Sequence, residues 1–111
     1  EATSEKVAMG WHLDGSCTAV IGTHTHVQTA DERVLPKGTA YITDVGMTGP
    51  RDSVIGVERD LVVRRFLTGM PAEFKVAKER PALGAVVIEA EENTGRARSI
   101  TRLLREDPEH A

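Results

Sequence analysis

The sequence predicts a layered α/β domain, and three observations support that fold class. Short apolar runs that end at glycine alternate with amphipathic segments of helical period, which is the usual pattern of strands and helices packed in layers. The predicted order is helix, strand, loop, strand, loop, helix and then a meander of strands. Apolar residues make up 40% of the 111 residues and charged residues 28%, which are values typical of a globular chain and not of a disordered one.

The first two predicted elements are a helix over residues 4–13 and a strand over residues 18–21. Ser4 is a favoured N-cap residue, and Gly15 is placed to end the helix. The following run is short and apolar and is broken by Gly22, which favours a buried strand.

The middle of the chain is predicted to contain a polar loop, a second strand and a second helix. The loop covers residues 28–38. Residues 39–45 combine β-branched and aromatic side chains, which favours a strand. Residues 58–67 have helical spacing, and Gly69 and Pro71 are placed to stop that helix.

The last third of the chain is predicted to form only strands. Residues 73–77 are assigned to a short strand. Residues 84–91 and 96–105 are assigned to a hairpin, because the Glu-Asn-Thr-Gly sequence at 92–95 is typical of the connecting turn. The tail, residues 106–111, is expected to fray.

One motif carries specific chemistry, and it follows the first predicted strand directly: Gly22-Thr23-His24-Thr25-His26. In an extended chain, residues i and i+2 project to the same side, so both imidazoles are predicted to reach one metal ion or two adjacent ions. Neutral imidazole binds zinc, manganese and iron. Thr23 and Thr25 are predicted to fix the imidazole tautomers by hydrogen bonds. A His-x-His pair alone is a weak signal, so a polar loop with two solvated histidines is the alternative.

Other candidate residues carry weaker signals. His12 is assigned to the surface of the first helix, and His110 lies in the terminal tail. Asp44 ends a strand, where it either orients a histidine or the loop or makes a turn. Cys17 is expected to be a buried structural thiol and not a nucleophile. The role of residues 28–33 is left open between a substrate contact, an interface and plain surface.

Composition argues against several classes of partner. The formal net charge is −3 and no basic stripe is present, so DNA is not an expected partner. The longest apolar runs, such as residues 85–88, are far shorter than the ~18 residues of a membrane span, so no membrane partner is expected. The single cysteine excludes an internal disulfide and a thiolate zinc site, and the cytoplasm is the expected location.

Several stretches together resemble the bacterial YmdB-type metallophosphoesterases, which are calcineurin-like enzymes described as 2′,3′-cyclic-nucleotide 2′-phosphodiesterases. The stretches are Glu1–Lys6 (EATSEK), Leu13–Gly15 (LDG), Gly22–Asp31 (GTHTHVQTAD) and Thr39–Pro50 (TAYITDVGMTGP). The resemblance covers nearly the whole chain. It therefore favours the metal-binding interpretation of the histidine motif over the solvated loop.

The resemblance implies a fold, a reaction and a cofactor. The fold would be the C-terminal half of a calcineurin-like four-layer α/β/β/α sandwich, with residues 1–111 forming part of a single domain. The reaction would be two-metal-ion hydrolysis of phosphodiesters, with 2′,3′-cyclic nucleotides as the expected substrates. His24 and His26 would each bind one of the two ions, iron or manganese, with zinc as an alternative. The family also implies a homo-oligomer.

The same resemblance implies a missing N-terminal half, and the chain opens at Glu1 without an initiator methionine. That half would supply the remaining metal ligands and the group that protonates the leaving oxygen, so no catalytic residue is assigned in this chain. The longer parent protein is therefore expected to be an active phosphodiesterase, and the 111-residue chain alone to be inactive. The alternative is a non-catalytic fragment, or a packing and oligomerisation module that lacks most of the metal ligands.

Overall fold

The structure is a computed structural model that describes residues 2–107. It contains two helices and six strands, and two of the short strands lie in segments predicted as loops. They are α1 (Thr3–Leu13), β1 (Ala19–Ile21), β2 (Arg33–Val34), β3 (Ala40–Ile42), β4 (Gly49–Pro50), α2 (Arg59–Thr68), β5 (Pro81–Ala90) and β6 (Ala97–Glu106). Neither helix within the described range has the length and apolar character that a membrane span requires.

The first sheet has β3 at its centre, with β1 parallel on one side and β2 antiparallel on the other. Ala40, Tyr41 and Ile42 of β3 are buried. Helix α1 packs on this strand through Gly10, where an added Cβ would lie 2.6 Å from the Tyr41 ring. A glycine is therefore needed for this close approach of helix and sheet. The loop after β1 consequently begins at the carboxyl end of a parallel strand pair, where ligand sites of α/β sheets are usually found.

The second sheet is antiparallel, with the order β4-β5-β6. Strands β5 and β6 form a long hairpin that pairs from Ala82 and Glu106 to Ala90 and Ala97. Gln28, in the loop after β1, ties this hairpin to the first sheet. Its Nε2 lies 2.8 Å from the Leu103 carbonyl oxygen and 3.3 Å from the carbonyl oxygens of both Val45 and Ala85. Gln28 is thus one of the connections between the two sheets, close to the histidine motif.

Most of the predicted elements are confirmed, with some changed boundaries. The helices predicted at residues 4–13 and 58–67 correspond to α1 and α2, and the predicted hairpin corresponds to β5 and β6. The strand predicted over residues 39–45 is limited to β3, because Asp44 turns its side chain to the loop after β1. The polar loop predicted over residues 28–38 contains the short strand β2.

The strand predicted over residues 73–77 is wrong. This segment makes one isolated bridge, between Val57 and Val76. Two backbone hydrogen bonds join it to the same region, from Ala77 N to Gly56 O and from Glu58 N to Lys75 O, both at 2.8 Å. The segment therefore pairs with the turn before α2 and not with a sheet. A segment with high strand propensity does not form a β-ladder when its neighbour in space is a turn.

The predicted frayed tail, residues 106–111, can be compared with the structure only at residues 106 and 107. Glu106 is the last residue of β6, where its carboxylate lies 2.7 Å from Arg80 Nη2. The end of β6 is thus fixed by an ion pair. Residues 108–111 lie outside the described residues.

Gly22 provides a sharp test of how β1 and β3 end. Gly22 N donates to Ile42 O at 3.0 Å, and Val45 N donates to Gly22 O at 2.9 Å. A Cβ on Gly22 would lie 1.7 Å from the Thr43 carbonyl oxygen, which belongs to the backbone and cannot rotate away. We therefore expect Gly22→Ala to lower the free energy of unfolding by about 3 kcal/mol, the upper end of overpacking costs, in urea denaturation.

Gly49→Ala is the matched control for Gly22→Ala. The nearest atom to a Cβ at Gly49 is the Met47 sulfur, at 3.8 Å, which is an ordinary contact distance. This control should unfold within about 1 kcal/mol of the unsubstituted chain. Equal denaturation midpoints for the two variants would contradict the tight packing of Gly22 against β3.

Candidate functional site

The histidine motif forms an exposed, bent loop after β1. Both His24 and His26 are exposed, and both have positive φ angles, of 103° and 68°. The prediction of an extended chain across the motif is therefore wrong. The residue between them, Thr25, explains the bend, because its backbone N and its hydroxyl donate to Asp44 Oδ2 at 2.8 and 2.7 Å. Thr25 is tied to Asp44 by these two bonds, and Thr25 and the histidines on either side of it are all exposed.

Asp44 anchors the loop from the end of β3. It is fully buried and accepts hydrogen bonds from four donors in three parts of the chain. The donors are Thr25 N and Thr25 Oγ1, Lys6 Nζ of α1 at 3.3 Å, and Gly46 N at 2.8 Å. Lys6 Nζ also donates to Thr23 O at 2.6 Å. Asp44 therefore orients the loop, which is one of the roles left open by the sequence.

The charge of Asp44 is favoured by this surrounding. Burial raises the pKa of the Asp44 carboxyl group, but the hydrogen bonds from Thr25, Gly46 and Lys6 lower it by more, so the net pKa lies below its ordinary value. Asp31 behaves in the same way. Burial raises the pKa of the Asp31 carboxyl, while hydrogen bonds from the side chains of Thr43 and Thr29 bring it below the ordinary value. Both carboxylates are ionised at neutral pH.

His26 is oriented by a backbone carbonyl. Its Nδ1 lies 2.8 Å from Ile55 O. A carbonyl oxygen can only accept, so Nδ1 carries the proton, and the lone pair of the neutral ring lies on Nε2. Metal-binding histidines typically have this arrangement, in which one ring nitrogen donates to a carbonyl and the other faces the ion. The prediction that Thr23 and Thr25 fix the tautomers is wrong for His26, because the Thr25 hydroxyl bonds Asp44 and Val27.

The turn that presents the Ile55 carbonyl is held from both sides. Val54 and Val57 exchange backbone hydrogen bonds at 2.9 and 3.0 Å. Ser53 Oγ donates to Pro50 O at 2.7 Å and accepts from Gly56 N at 3.0 Å. Ile55 itself has a φ of +44°, which is unusual for a β-branched residue and costs free energy. No local sequence signal predicts this turn as the partner of a histidine 29 residues away.

The other candidates do not join the two histidines. Within residues 2–107, no group of three or more His, Cys, Asp and Glu side chains could hold a metal ion. His12 lies exposed on α1, as expected, and His110 is outside the described residues. Cys17 is exposed, so the prediction of a buried thiol is wrong. In the described part of the chain, His24 and His26 are therefore not joined by a third side chain of this kind.

Residues 28–33, whose role the sequence left open, make structural contacts. Thr29 Oγ1 donates to Asp31 Oδ1 at 2.7 Å. Glu32 pairs with Arg102 of β6 at 3.3 Å, and the Arg33 guanidinium lies 5.4 Å from the centre of the Trp11 ring. Together with Gln28, these contacts join the loop to α1, β3 and the hairpin.

The anchor role of Asp44 predicts a loss of stability and a change in acid sensitivity. Asparagine cannot accept at both side-chain positions, so Asp44→Asn leaves at least one donor without its charged acceptor. We expect the free energy of unfolding at pH 7 to fall by about 2–3 kcal/mol, since hydrogen bonds to charged groups contribute about 1.5–3 kcal/mol each. Urea denaturation of both chains measures this difference.

The pH dependence of that stability follows from the lowered pKa values. The stabilisation is fully present above the unfolded-state pKa of about 3.9 and is lost as the pH falls through the lower folded-state pKa. The unsubstituted chain should therefore lose stability below about pH 4, and Asp44→Asn should lose less over the same range. Asp60→Asn, at an exposed position of α2, is the control and should keep the original acid sensitivity. Identical acid profiles for Asp44→Asn and the unsubstituted chain would contradict this account.

Several known proteins match nearly the whole chain, and three of them are described. The chain is 56% identical over 107 residues to the 2′,3′-cyclic-nucleotide 2′-phosphodiesterase of Bacillus subtilis (strain 168), which covers 96% of this chain and 40% of that protein. A crystal structure of a hypothetical protein from Thermus thermophilus matches with a TM-score of 0.87 and 48% identity, over 97% of this chain and 42% of the other. A crystal structure of a novel phosphatase from Mycoplasma pneumoniae matches with a TM-score of 0.84 and 43% identity, over 99% and 40%.

These matches agree with the resemblance noted in the sequence. The chain spans about two fifths of the length of the relatives it matches. The predicted fold class, a C-terminal part of the calcineurin-like α/β sandwich, is confirmed by the two structural matches. Residues 1–103 match the family described as YmdB-like protein. The chain therefore belongs to the YmdB-like protein family.

Proposed function

We propose that this chain supplies the histidine loop of a dinuclear metal-dependent phosphodiesterase that hydrolyses 2′,3′-cyclic nucleotides. The observation that carries the proposal is the hydrogen bond between His26 Nδ1 and Ile55 O, which directs the Nε2 lone pair outward. The printed name of the Bacillus subtilis relative supports the reaction class. Asp44 supports the same proposal, because it holds the loop in a single bent conformation by four hydrogen bonds.

In this proposal His24 binds one ion and His26 the other. The ions are iron or manganese, with zinc as the alternative, all of which accept neutral imidazole. When bound, such ions activate water and neutralise the negative charge that develops on phosphate oxygens. The residues of this chain orient the imidazoles. Ile55 O fixes the His26 ring, and Thr25, held by Asp44, separates the two histidines.

The remaining ligands are assigned to a second partner, the N-terminal half of the same protein. Catalytic metal sites usually have three protein ligands per ion, and the described part of this chain offers two histidines for a pair of ions. The outer side of β1 favours such a partner. Within residues 2–107, β1 pairs only with β3, and Ile21 at its end is 44% exposed. A preceding segment that covered α1 and β1 would complete the sheet. The proposed location of the complete protein is the cytoplasm.

A second candidate function is a packing or homo-oligomerisation module without activity. The exposed apolar side chains on and after α2 favour it, since Phe66 is 82% exposed, Leu67 81% and Met70 66%. Apolar patches of this kind commonly mark protein–protein contacts. The two functions are compatible in one protein, because this patch and the histidine loop involve different residues. Metal binding and turnover separate an active phosphodiesterase from a purely structural module.

The ligand count predicts weak metal binding by the 111-residue chain. With two imidazoles shared between two ions, we expect little bound Mn²⁺ after dialysis and at most trace hydrolysis of a 2′,3′-cyclic nucleotide. Inductively coupled plasma mass spectrometry and an Mn²⁺-supplemented phosphodiesterase assay measure the two quantities. An ordinary enzyme rate from this chain alone would contradict the assignment of the remaining ligands to a second segment.

The site assignment predicts the effect of removing either histidine. In the polypeptide that contains this chain and the N-terminal half, His24→Ala and His26→Ala should each lower Mn²⁺-dependent turnover by more than about 100-fold, since even indirect contacts to metal ligands are worth 10–100-fold. His12→Ala is the matched control, because His12 is exposed on α1, and it should keep full turnover and metal content. Unchanged turnover in His24→Ala or His26→Ala would remove that residue from the site.

A further inference from the structure

A cleft of about 330 Å³ opens beside His26, between the histidine loop and the second sheet. That volume lies within the range of small-molecule sites, which begins at about 300 Å³. His26 lies at the cleft together with Val27, Met47, Ile55 and Leu104. Three of these apolar side chains are unusually exposed, Val27 to 60%, Ile55 to 51% and Leu104 to 44%. The cleft therefore presents an apolar wall directly beside the proposed metal ligand.

Two arginines supply the positive charge of the cleft. Arg51 follows β4 and Arg102 lies on β6, and both line the cleft. Each is held through its Nε, Arg51 by Glu106 at 3.3 Å and Arg102 by Glu32 at 3.3 Å. Both side chains also remain partly exposed, Arg51 to 47% and Arg102 to 39%. The guanidinium planes are thus fixed on one edge and available on the other.

The remaining polar side chains of the cleft are already occupied. The two N–H groups of Gln28 Nε2 face the carbonyl oxygens of Leu103, at 2.8 Å, and of Val45 and Ala85, both at 3.3 Å. Ser53 Oγ donates to Pro50 O and accepts from Gly56 N. The free donors at the cleft are thus the two guanidinium groups, which lie beside apolar side chains. Flat, aromatic groups with acceptor atoms on their edge fit this lining, because guanidinium planes stack on such rings and donate to their edges.

We propose that this cleft binds the nucleobase of a nucleotide whose phosphate lies at His26. The inference rests on the proposed function for the position of the phosphate, and on the cleft itself for the base. Val27, Met47 and Leu104 pack on the ring. Arg51 and Arg102 stack on it or donate to its edge. The cleft is thereby a specificity determinant, separating nucleotides from phosphodiesters without a base.

The test measures equilibrium binding in EDTA, so that the result is independent of bound metal and of turnover. Isothermal titration calorimetry of the full chain uses adenosine 3′-monophosphate and, as the ligand without a base, ribose 5-phosphate. We expect Arg51→Met and Arg102→Met each to raise the Kd of the nucleotide about tenfold and to leave the binding of ribose 5-phosphate unchanged, since stacking of one base contributes about 1–3 kcal/mol. Arg64→Met, on the exposed surface of α2, is the matched control and should leave both Kd values unchanged.

Two results would overturn the proposal. An equal increase in the Kd of both ligands in the arginine variants would show that the arginines bind phosphate and not the base. Unchanged nucleotide binding in both arginine variants would show that the base lies elsewhere. If a variant fails to fold, nuclear magnetic resonance of the unsubstituted chain replaces it. In that measurement adenosine 3′-monophosphate should shift the amides of Val27, Met47 and Leu104, and shifts confined to other regions would contradict the proposal.

The same experiments separate this inference from the proposed function. One outcome is nucleotide binding in EDTA that depends on Arg51 and Arg102, with no Mn²⁺-dependent hydrolysis by the longer polypeptide. This outcome would support base binding in the cleft and contradict the proposed phosphodiesterase activity. The other outcome is hydrolysis that depends on His26, with nucleotide affinity unchanged in both arginine variants. It would support the proposed phosphodiesterase activity and contradict base binding in the cleft.

Discussion

The buried carboxylate of Asp44 is the interaction on which the rest of the site depends. It joins α1 through Lys6, the histidine loop through Thr25 and the chain after β3 through Gly46. An unpaired carboxylate in this position would be strongly unfavourable, because burial removes its hydration. Four donors replace that hydration, and the lowered pKa shows that they outweigh the cost. The carboxylate can satisfy these donors only when helix, loop and strand are in place together, so folding and site formation are coupled.

The backbone strain in the loop is explained by the same carboxylate. His24 and His26 both adopt positive φ angles, which cost free energy in any residue other than glycine. Thr25 lies between them and forms two short hydrogen bonds to Asp44, and these contacts offset the strain. Ile55, also at positive φ, contributes the carbonyl that orients His26. Two residues with positive φ angles, His26 and Ile55, are therefore joined by a hydrogen bond at the site.

The sequence predicted the elements that local chemistry determines. Periodicity was sufficient for both helices, and the hairpin followed from its turn. The predicted cap of α1 was wrong, because the N-cap is Ala2, Ser4 lies inside the helix, and no side chain makes a cap hydrogen bond. The contacts that shape the site lie far apart in sequence and were not predictable locally. Thr25 and Asp44 are 19 residues apart, and His26 and Ile55 are 29 apart. The extended-chain prediction for the motif failed for this reason, because the alternation of side chains along an extended strand takes no account of hydrogen bonds from the central residue to a distant buried carboxylate. The strand prediction for residues 73–77 was wrong for a different reason. The segment has strand propensity, but it lies beside a turn and not beside a strand with which it could form a ladder.

Gln28 connects the histidine loop to the proposed base cleft. It lies two residues after His26, and its amide nitrogen bonds carbonyls of Val45, Ala85 and Leu103, which belong to the end of the first sheet and to both strands of the hairpin. Arg102 and Leu104 line the cleft and flank Leu103 on β6, so the Gln28 contact connects this wall to the chain that carries the histidines. A base held in the cleft can then hold the phosphate of the same nucleotide at the histidines, because the cleft and the histidine loop have a fixed spacing. The placement of Gln28 between ligand loop and hairpin thus gives a structural reason for one site to combine metal-binding side chains with a base-sized cleft.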